Sequence, residues 1–175
     1  PLQRSAPTFT QPHDSPAPGS PSKQTQASAD VFPTAATSTE TPMPERKLRI
    51  LLVEDHPFQL LAIQCLLKSF GFNQLTPAES AEQAIKLMRT TEAPFDIMLC
   101  DQCLPDLTGL ELVEIACHTG FVKSAVLLSG LPALELEYLK TLAIQRDLRL
   151  LGYLAKPLNK EAWTELISQS GLADD

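Results

Sequence analysis

Several short apolar runs in this chain end directly in a polar or charged residue. The clearest is the Ile-Met-Leu-Cys run of residues 97–100, which is followed at once by Asp101. Four consecutive apolar residues are too few for a helix and are typical of a strand buried on both faces, as in a parallel sheet. The carboxyl ends of such strands form the edge where open α/β folds place their chemistry. The pattern therefore predicts that Asp101 lies at the functional edge of a parallel sheet.

Three further runs follow the same pattern. Residues 48–53 end in Glu54 and Asp55, residues 125–128 end in Ser129, and residues 151–155 end in Lys156. A weaker strand is predicted at residues 73–76. Helical patterns lie between these runs, at residues 57–70, 80–89, 110–119, 132–144 and 160–168. Five strands alternating with five helices predict an α/β fold with a doubly wound, five-stranded parallel sheet and right-handed crossovers, a flavodoxin-like (βα)5 arrangement.

The number and placement of apolar residues are notable in two of these helices. After Phe58, the first carries eight apolar residues and only four polar ones, which is more than one buried stripe needs. The helix at 132–144 places Leu134, Tyr138 and Leu142 on one face. An apolar face left in water usually marks a partner surface, so the outer side of the first helix is predicted to bind another protein.

The first 45 residues differ in composition from the rest of the chain. They contain nine of the fifteen prolines, thirteen Ser or Thr residues and two aromatic residues. Such a segment cannot bury enough apolar surface to offset the entropy of ordering it. We therefore expect a disordered arm at residues 1–45 and a folded domain at 46–175.

Charge and composition restrict the partners and the location. The net charge of −7 and the lack of a Lys/Arg cluster argue against direct binding of nucleic acid, which needs a basic face. No apolar segment has the length of a membrane span and no charged leader precedes an apolar run, so we expect a cytoplasmic protein that does not contact membranes.

The four cysteines include a pair, Cys100 and Cys103, with redox-motif spacing. A thioredoxin-type pair opens a helix, whereas here one cysteine ends a buried strand and Asp101 follows it, so a structural role is favoured. A zinc site would need two more ligands at suitable spacing, and neither the other cysteines nor the three histidines supply them.

The polar residues that follow the strands are suited to phosphoryl transfer. Clustered carboxylates repel one another unless a hard cation neutralises them, and Mg²⁺ is the best candidate. We expect Asp101 to act as the nucleophile and to form an acyl phosphate. Lys156 and the Ser129 hydroxyl would bind the remaining phosphoryl oxygens. The predicted metal ligands are Asp55, Asp101 and the backbone carbonyl of Cys103, with Glu54 acting through water.

The same residues resemble a known family. The order Glu54-Asp55, Asp101-x-x-Leu104-Pro105, Gly109, Ser129-Gly130, Lys156-Pro157 is similar to the receiver domain of bacterial two-component response regulators, over about residues 47–170. The resemblance implies that a sensor histidine kinase or a histidine phosphotransfer protein phosphorylates Asp101 in a phosphorelay. It also implies that the first helix docks this donor. Residues 150–157 are similar, more weakly, to receivers attached to cyclic-diguanylate phosphodiesterase domains.

Two other functions remain open at this point. An Asp-nucleophile phosphatase of the haloacid dehalogenase type would need a second Asp as general acid two positions after Asp101, and Cys103 lies there. A receiver-like module that binds partners without phosphorylation is the second alternative. We expect a phosphoacceptor and not a turnover enzyme, either standing alone or cut from a larger protein, with an unknown downstream protein target.

Overall fold

A computed structural model describes residues 46–172, in which five strands alternate with five helices. The strands are β1 (Ile50–Val53), β2 (Leu75–Ala78), β3 (Phe95–Asp101), β4 (Val122–Ser129) and β5 (Leu150–Ala155). The helices are α1 (Pro57–Ser69), α2 (Ala81–Thr90), α3 (Gly109–Thr119), α4 (Ala133–Gln145) and α5 (Lys160–Gln169). The predicted arm at residues 1–45 lies outside the described residues and stays a prediction.

The five strands form one parallel sheet in the order β2-β1-β3-β4-β5. The predicted doubly wound fold is therefore confirmed. Strand β2 lies on one side of β1, whereas β3, β4 and β5 follow in order on its other side. The direction in which the chain crosses the sheet therefore reverses between β1 and β3. A crevice opens beyond the strand ends at such a reversal, and it is the usual ligand site of these sheets.

Side chains on the two faces of the sheet form two separate apolar clusters. One face packs against α1 and α5, where Trp163 and Ile167 are fully buried beside Leu67. The other face packs against α2, α3 and α4. Because both faces are covered, β1, β3 and β4 each contain an uninterrupted run of four buried apolar residues.

Some boundaries differ from the sequence-based prediction. Strand β2 begins two residues later than expected and contains Pro77, which is tolerated because β2 is an edge strand and one side of it needs no hydrogen-bond donor. Strand β4 begins at Val122, before the apolar run, and extends to Ser129. In α4, Leu134 and Tyr138 are exposed and Ala143 is the buried residue, so the predicted apolar face faces solvent at its first two positions.

Helix ends follow from local capping. The Ser80 hydroxyl accepts a hydrogen bond from the Gln83 N–H and caps the start of α2. Thr108 and Glu111 form a reciprocal capping box that begins α3 directly after the β3–α3 loop, and Gly120, with φ of 70°, ends it. Among the helices of residues 46–172, none has the length and apolar character needed to cross a membrane.

Candidate functional site at the carboxyl ends of the strands

Strand alternation directs three predicted site residues toward the same face of the sheet. Leu52, Leu99 and Leu154 belong to the apolar cluster beside α1 and α5. Side chains two residues apart on a strand point to the same side, so Glu54, Asp101 and Lys156 follow on that side. The three side chains therefore meet on the face of the sheet that α1 and α5 cover.

Lys156 contacts both buried carboxylates directly. Its Nζ donates hydrogen bonds to Asp101 Oδ2 at 2.8 Å and to Glu54 Oε2 at 3.0 Å. Glu54 and Asp101 are buried, and Lys156 is about one quarter exposed. Burial lowers the pKa of the Lys156 ammonium, but its hydrogen bonds to Asp101 and Glu54 and their negative charges outweigh burial and hold the pKa above its ordinary value. The lysine is therefore a permanent cation in this crevice.

Three carboxylates of the crevice lie close enough together to share a cation. One oxygen each from Glu54, Asp55 and Asp101 lies within 4.8 Å of the others, and Asp55 is the exposed member. The backbone N–H of Cys103 donates to Asp101 Oδ1 at 3.1 Å, which holds the Cys103 backbone beside this cluster. An oxygen-only ligand set of this kind suits Mg²⁺ or another hard divalent cation.

Ser129 lies at the same edge, at the end of β4, and is almost completely buried. Its Oγ accepts a hydrogen bond from the Leu131 N–H at 3.0 Å. Because the oxygen is engaged as an acceptor, the hydroxyl proton is the group left to donate. The backbone N–H of Lys156 donates to the Ser129 carbonyl at 3.1 Å, which ties the ends of β4 and β5 together.

The loop after Asp101 is packed tightly against the end of β3. The Gly109 N–H donates to the Gln102 carbonyl, and the buried Gln102 side chain accepts from the Leu110 N–H. A Cβ at Gly109 would lie 2.5 Å from the Asp101 carbonyl oxygen. Glycine is required here because the start of α3 approaches the backbone of the central aspartate so closely.

Asp106 is a structural residue that the sequence analysis missed. Its two carboxylate oxygens accept from the backbone N–H groups of Ala81, at 3.3 Å, and Glu82, at 3.1 Å, at the start of α2. Burial raises the pKa of Asp106, but the hydrogen bonds from Glu82 and Ala81 prevail and lower it below its ordinary value. Asp106 therefore fastens the β3–α3 loop to α2, a tertiary contact between residues 25 positions apart.

Gln59 was also missed as a site residue. Its Oε1 accepts a hydrogen bond from Lys156 Nζ at 3.1 Å. The sequence shows Gln59 only as one of the few polar positions of α1. Nothing local distinguishes it from the other glutamine of that helix, Gln64.

The cysteines support the structural interpretation. All four thiols are free. Burial, followed by the nearby charge of Asp101, raises the pKa of the Cys100 thiol well above its ordinary value, so this thiol stays protonated and unreactive. Cys103 is exposed and belongs to the site through its backbone.

The fold and the acidic crevice define a class of α/β signalling domain, and comparison with known proteins identifies the family. Residues 50–168 match the response regulator receiver domain. The chain belongs to this family, as the resemblance in the sequence predicted.

Curated relatives are response regulators and related two-component proteins. The two-component response regulator ORR41 of Oryza sativa subsp. japonica is 28% identical over 134 residues, which cover 75% of this chain and all of that protein. Two-component system protein A of Emericella nidulans is 29% identical over 110 residues, which cover 63% of this chain. The chain spans only 16% of the length of the Emericella protein.

Solved structures agree with this fold. The signal receiver domain of an HD domain-containing protein from Pseudomonas fluorescens Pf-5 is 27% identical, with a TM-score of 0.58. The match covers 71% of this chain and 87% of that one. The similarity lies in the receiver domain, where the acidic crevice is found.

Proposed function

We propose that this receiver domain is a phosphoacceptor whose Asp101 takes a phosphoryl group from a histidine of a sensor histidine kinase or phosphotransfer protein. The observation that carries this proposal is the contact of the Lys156 ammonium with the buried Asp101 carboxylate, next to two further carboxylates. An anion approaching Asp101 thus meets a fixed positive charge and a cation site together. This combination suits transfer of a phosphoryl group better than either feature alone.

The crevice fits Mg²⁺ as the cofactor. Asp55 and Asp101 would bind the ion directly, together with the backbone carbonyl of Cys103, and Glu54 would act through water. Glu54 also accepts a hydrogen bond from the His56 N–H at 3.1 Å, which fixes its carboxylate at the inner side of the cluster. When bound, the ion supplies charge neutralisation for both the carboxylates and the incoming phosphoryl oxygens.

The residues then have separate tasks in the transfer. A carboxylate oxygen of Asp101 attacks phosphorus, and the new O–P bond forms as the P–N bond to the donor histidine breaks and the imidazole leaves. The Lys156 ammonium and the Ser129 hydroxyl each donate to a phosphoryl oxygen. The buried position of Ser129 limits the orientations of that hydroxyl, so it contributes by positioning.

The outer face of α1 is the proposed docking surface for the donor. Leu60, Ile63 and Leu67 are buried in the core, whereas Phe58 and Leu61 are exposed on the opposite side. The N-terminal end of this helix borders the crevice, because Gln59, in the first turn beside Phe58, contacts Lys156. A donor that packs on α1 would therefore present its histidine close to Asp101.

Incubation with Mg²⁺ and acetyl phosphate tests the phosphoacceptor role. We expect stoichiometric, acid-stable and base-labile modification of Asp101 in the intact protein by mass spectrometry, and none in Asp101→Asn. Sustained release of phosphate without accumulation of the modified protein would instead support the phosphatase of the haloacid dehalogenase type. An unmodified parent protein would support the module that works without phosphorylation.

Substitution on α1 tests the docking surface. Phe58→Glu adds a charge to the proposed surface, and Leu134→Glu, at a similarly exposed position on α4, is the matched control. We expect Phe58→Glu to slow transfer from a phosphorylated histidine phosphotransfer protein that modifies the parent, while modification by acetyl phosphate is unchanged in both variants. Equal transfer rates in the two variants would remove α1 as the docking surface.

Three finer expectations stay predictions. They are the cytoplasmic location, the absence of catalytic turnover and the similarity to receivers attached to cyclic-diguanylate phosphodiesterase domains.

A further inference from the structure

The Lys156 ammonium uses all of its donors in contacts within the protein. A lysine ammonium has three N–H groups and accepts no hydrogen bond. In this structure the three acceptors are Asp101 Oδ2 at 2.8 Å, Glu54 Oε2 at 3.0 Å and Gln59 Oε1 at 3.1 Å. They come from three separate elements, the ends of β3 and β1 and the first turn of α1.

Phosphoryl transfer would change the contacts of Lys156 with Asp101 and Glu54, but it makes no demand on Gln59. Asp101 must give an oxygen to phosphorus, and Glu54 belongs to the carboxylate cluster that a cation would engage. Both contacts with the ammonium therefore change during transfer. The Gln59 amide is neutral and lies outside that cluster, so its contact with Lys156 can persist throughout.

Gln59 also lies between the crevice and the surface. It lines a groove of about 370 Å³ between α1 and the segment after β5, together with Ala62, Leu66 and Pro157. Gln59 therefore occupies the side of the Lys156 ammonium that would otherwise face solvent. Without it, Lys156 could turn toward water and away from Asp101.

We propose that Gln59 is a positioning residue that holds the Lys156 ammonium toward Asp101 during phosphoryl transfer. One N–H of Lys156 stays on the Gln59 carbonyl oxygen, which keeps the ammonium directed toward the phosphoryl oxygen that it binds. This inference rests on the proposed phosphoacceptor function. It adds to the phosphorylation site a neutral amide residue that is not one of the charged and hydroxyl residues predicted from the sequence.

Three variants of the full chain test this role. Gln59→Met keeps the length of the side chain and removes the acceptor, whereas Gln59→Glu keeps an acceptor oxygen at the same reach. Gln64→Met makes the same change on the same helix at a position that borders a different groove, lined by Pro57 and Pro77 among others. Each variant is treated with acetyl phosphate at saturating Mg²⁺, and the rate of Asp101 modification is measured.

We expect Gln59→Met to react about 3- to 10-fold more slowly than the parent, because Gln59 is exposed and solvent screening limits its bond to the contribution of an ordinary hydrogen bond. Gln59→Glu and Gln64→Met should react within about 2-fold of the parent. A second readout is exchange of the Lys156 ammonium protons with water, followed by nitrogen-15 NMR. This exchange should accelerate in Gln59→Met alone, which a purely structural role of Gln59 would not produce.

Several results would overturn the inference. A parent-like rate in Gln59→Met, equal slowing in Gln59→Met and Gln59→Glu, or unchanged proton exchange at Lys156 would each show that the amide does not position the lysine. A parent protein that acetyl phosphate does not modify would refute the phosphoacceptor function and this inference with it. A reactive parent with an unaffected Gln59→Met would remove the inference alone.

Discussion

Replacing Gly109 by alanine tests how closely α3 must approach the phosphoacceptor strand. A Cβ at this position would lie 2.5 Å from the Asp101 carbonyl oxygen, 2.8 Å from Gln102 Cα and 2.8 Å from Leu127 Cδ2. Two of these three atoms belong to the backbone and cannot move aside by rotation of a side chain. The first contact falls about 0.9 Å short of the 3.4 Å where ordinary contact begins.

The cost of this substitution follows from the contacts. Overpacking usually costs about 1–3 kcal/mol, and the fixed backbone atoms place Gly109→Ala at the upper end of that range. Gly109 does not have a positive φ, so alanine at this position adds a steric clash but no backbone strain. The higher helix propensity of alanine offsets less than about 1 kcal/mol of that cost. We expect a net loss of about 2 kcal/mol in the free energy of unfolding, or roughly 5–10 °C in melting temperature.

Urea unfolding of Gly109→Ala and of Gly130→Ala measures this difference. Gly130 follows Ser129 at the same sheet edge, has no positive φ, and a Cβ there would meet no atom within 4 Å, so this control should stay within about 0.5 kcal/mol of the parent. Because relief of the clash must move the Asp101 backbone, Gly109→Ala should also react more slowly with acetyl phosphate. A stability equal to that of Gly130→Ala would refute the close approach of α3 to β3.

Three further predictions concern charge and water in and around the site. Asp106→Asn should lose about 0.5–2 kcal/mol near neutral pH, because one amide oxygen cannot cap both N–H groups of α2. Since the folded-state pKa of Asp106 is lowered, its contribution is present above the unfolded value of about 3.9 and is lost below it, so urea unfolding of parent and variant should converge as the pH falls. Lys156→Met should lose about 1–3 kcal/mol without metal, because two buried carboxylates lose their counter-charge, and saturating Mg²⁺ should restore part of it in thermal unfolding. Leu131→Ala should admit water to the acyl phosphate on Asp101 and accelerate its loss about 10-fold, measured after the donor is removed.

Each of these three predictions has a result that contradicts it. An Asp106→Asn variant as stable as the parent at pH 7 would mean that the contacts with α2 do not contribute. A Lys156→Met variant more stable than the parent without metal would mean that the carboxylates do not depend on the ammonium. Loss of the phosphoryl group at an unchanged rate in Leu131→Ala would show that this side chain does not exclude water.

Local sequence patterns were enough to predict most of the fold. A run of apolar residues too short for a helix forms a buried strand wherever both sheet faces are covered, and this rule located β1, β3, β4 and β5. The weakest prediction was β2, because an edge strand is only half covered and needs little apolar sequence. Its segment Leu75–Ala78 includes a proline that the pattern alone would place outside a strand.

The distribution of apolar residues on helices was less informative. Leu134 and Tyr138 share a face of α4, yet both are exposed, and the helix is held by Ala143 and partly buried neighbours. Spacing shows which residues lie on the same side of a helix. It does not show which side meets the sheet, since that depends on the direction of the crossovers at both ends.

The sequence by itself determined which chemical groups meet at the crevice. Asp101, Glu54 and Lys156 lie at or just after the ends of parallel strands. Each lies an even number of residues away from an apolar residue on the same sheet face, so strand alternation places the three side chains on that face. Only the tertiary structure decided that Gln59 accepts the third hydrogen bond of the Lys156 ammonium and that Asp106 caps α2. Both contacts depend on the rotation and depth at which a helix packs on the sheet, and the core sets these through side chains far away in the sequence.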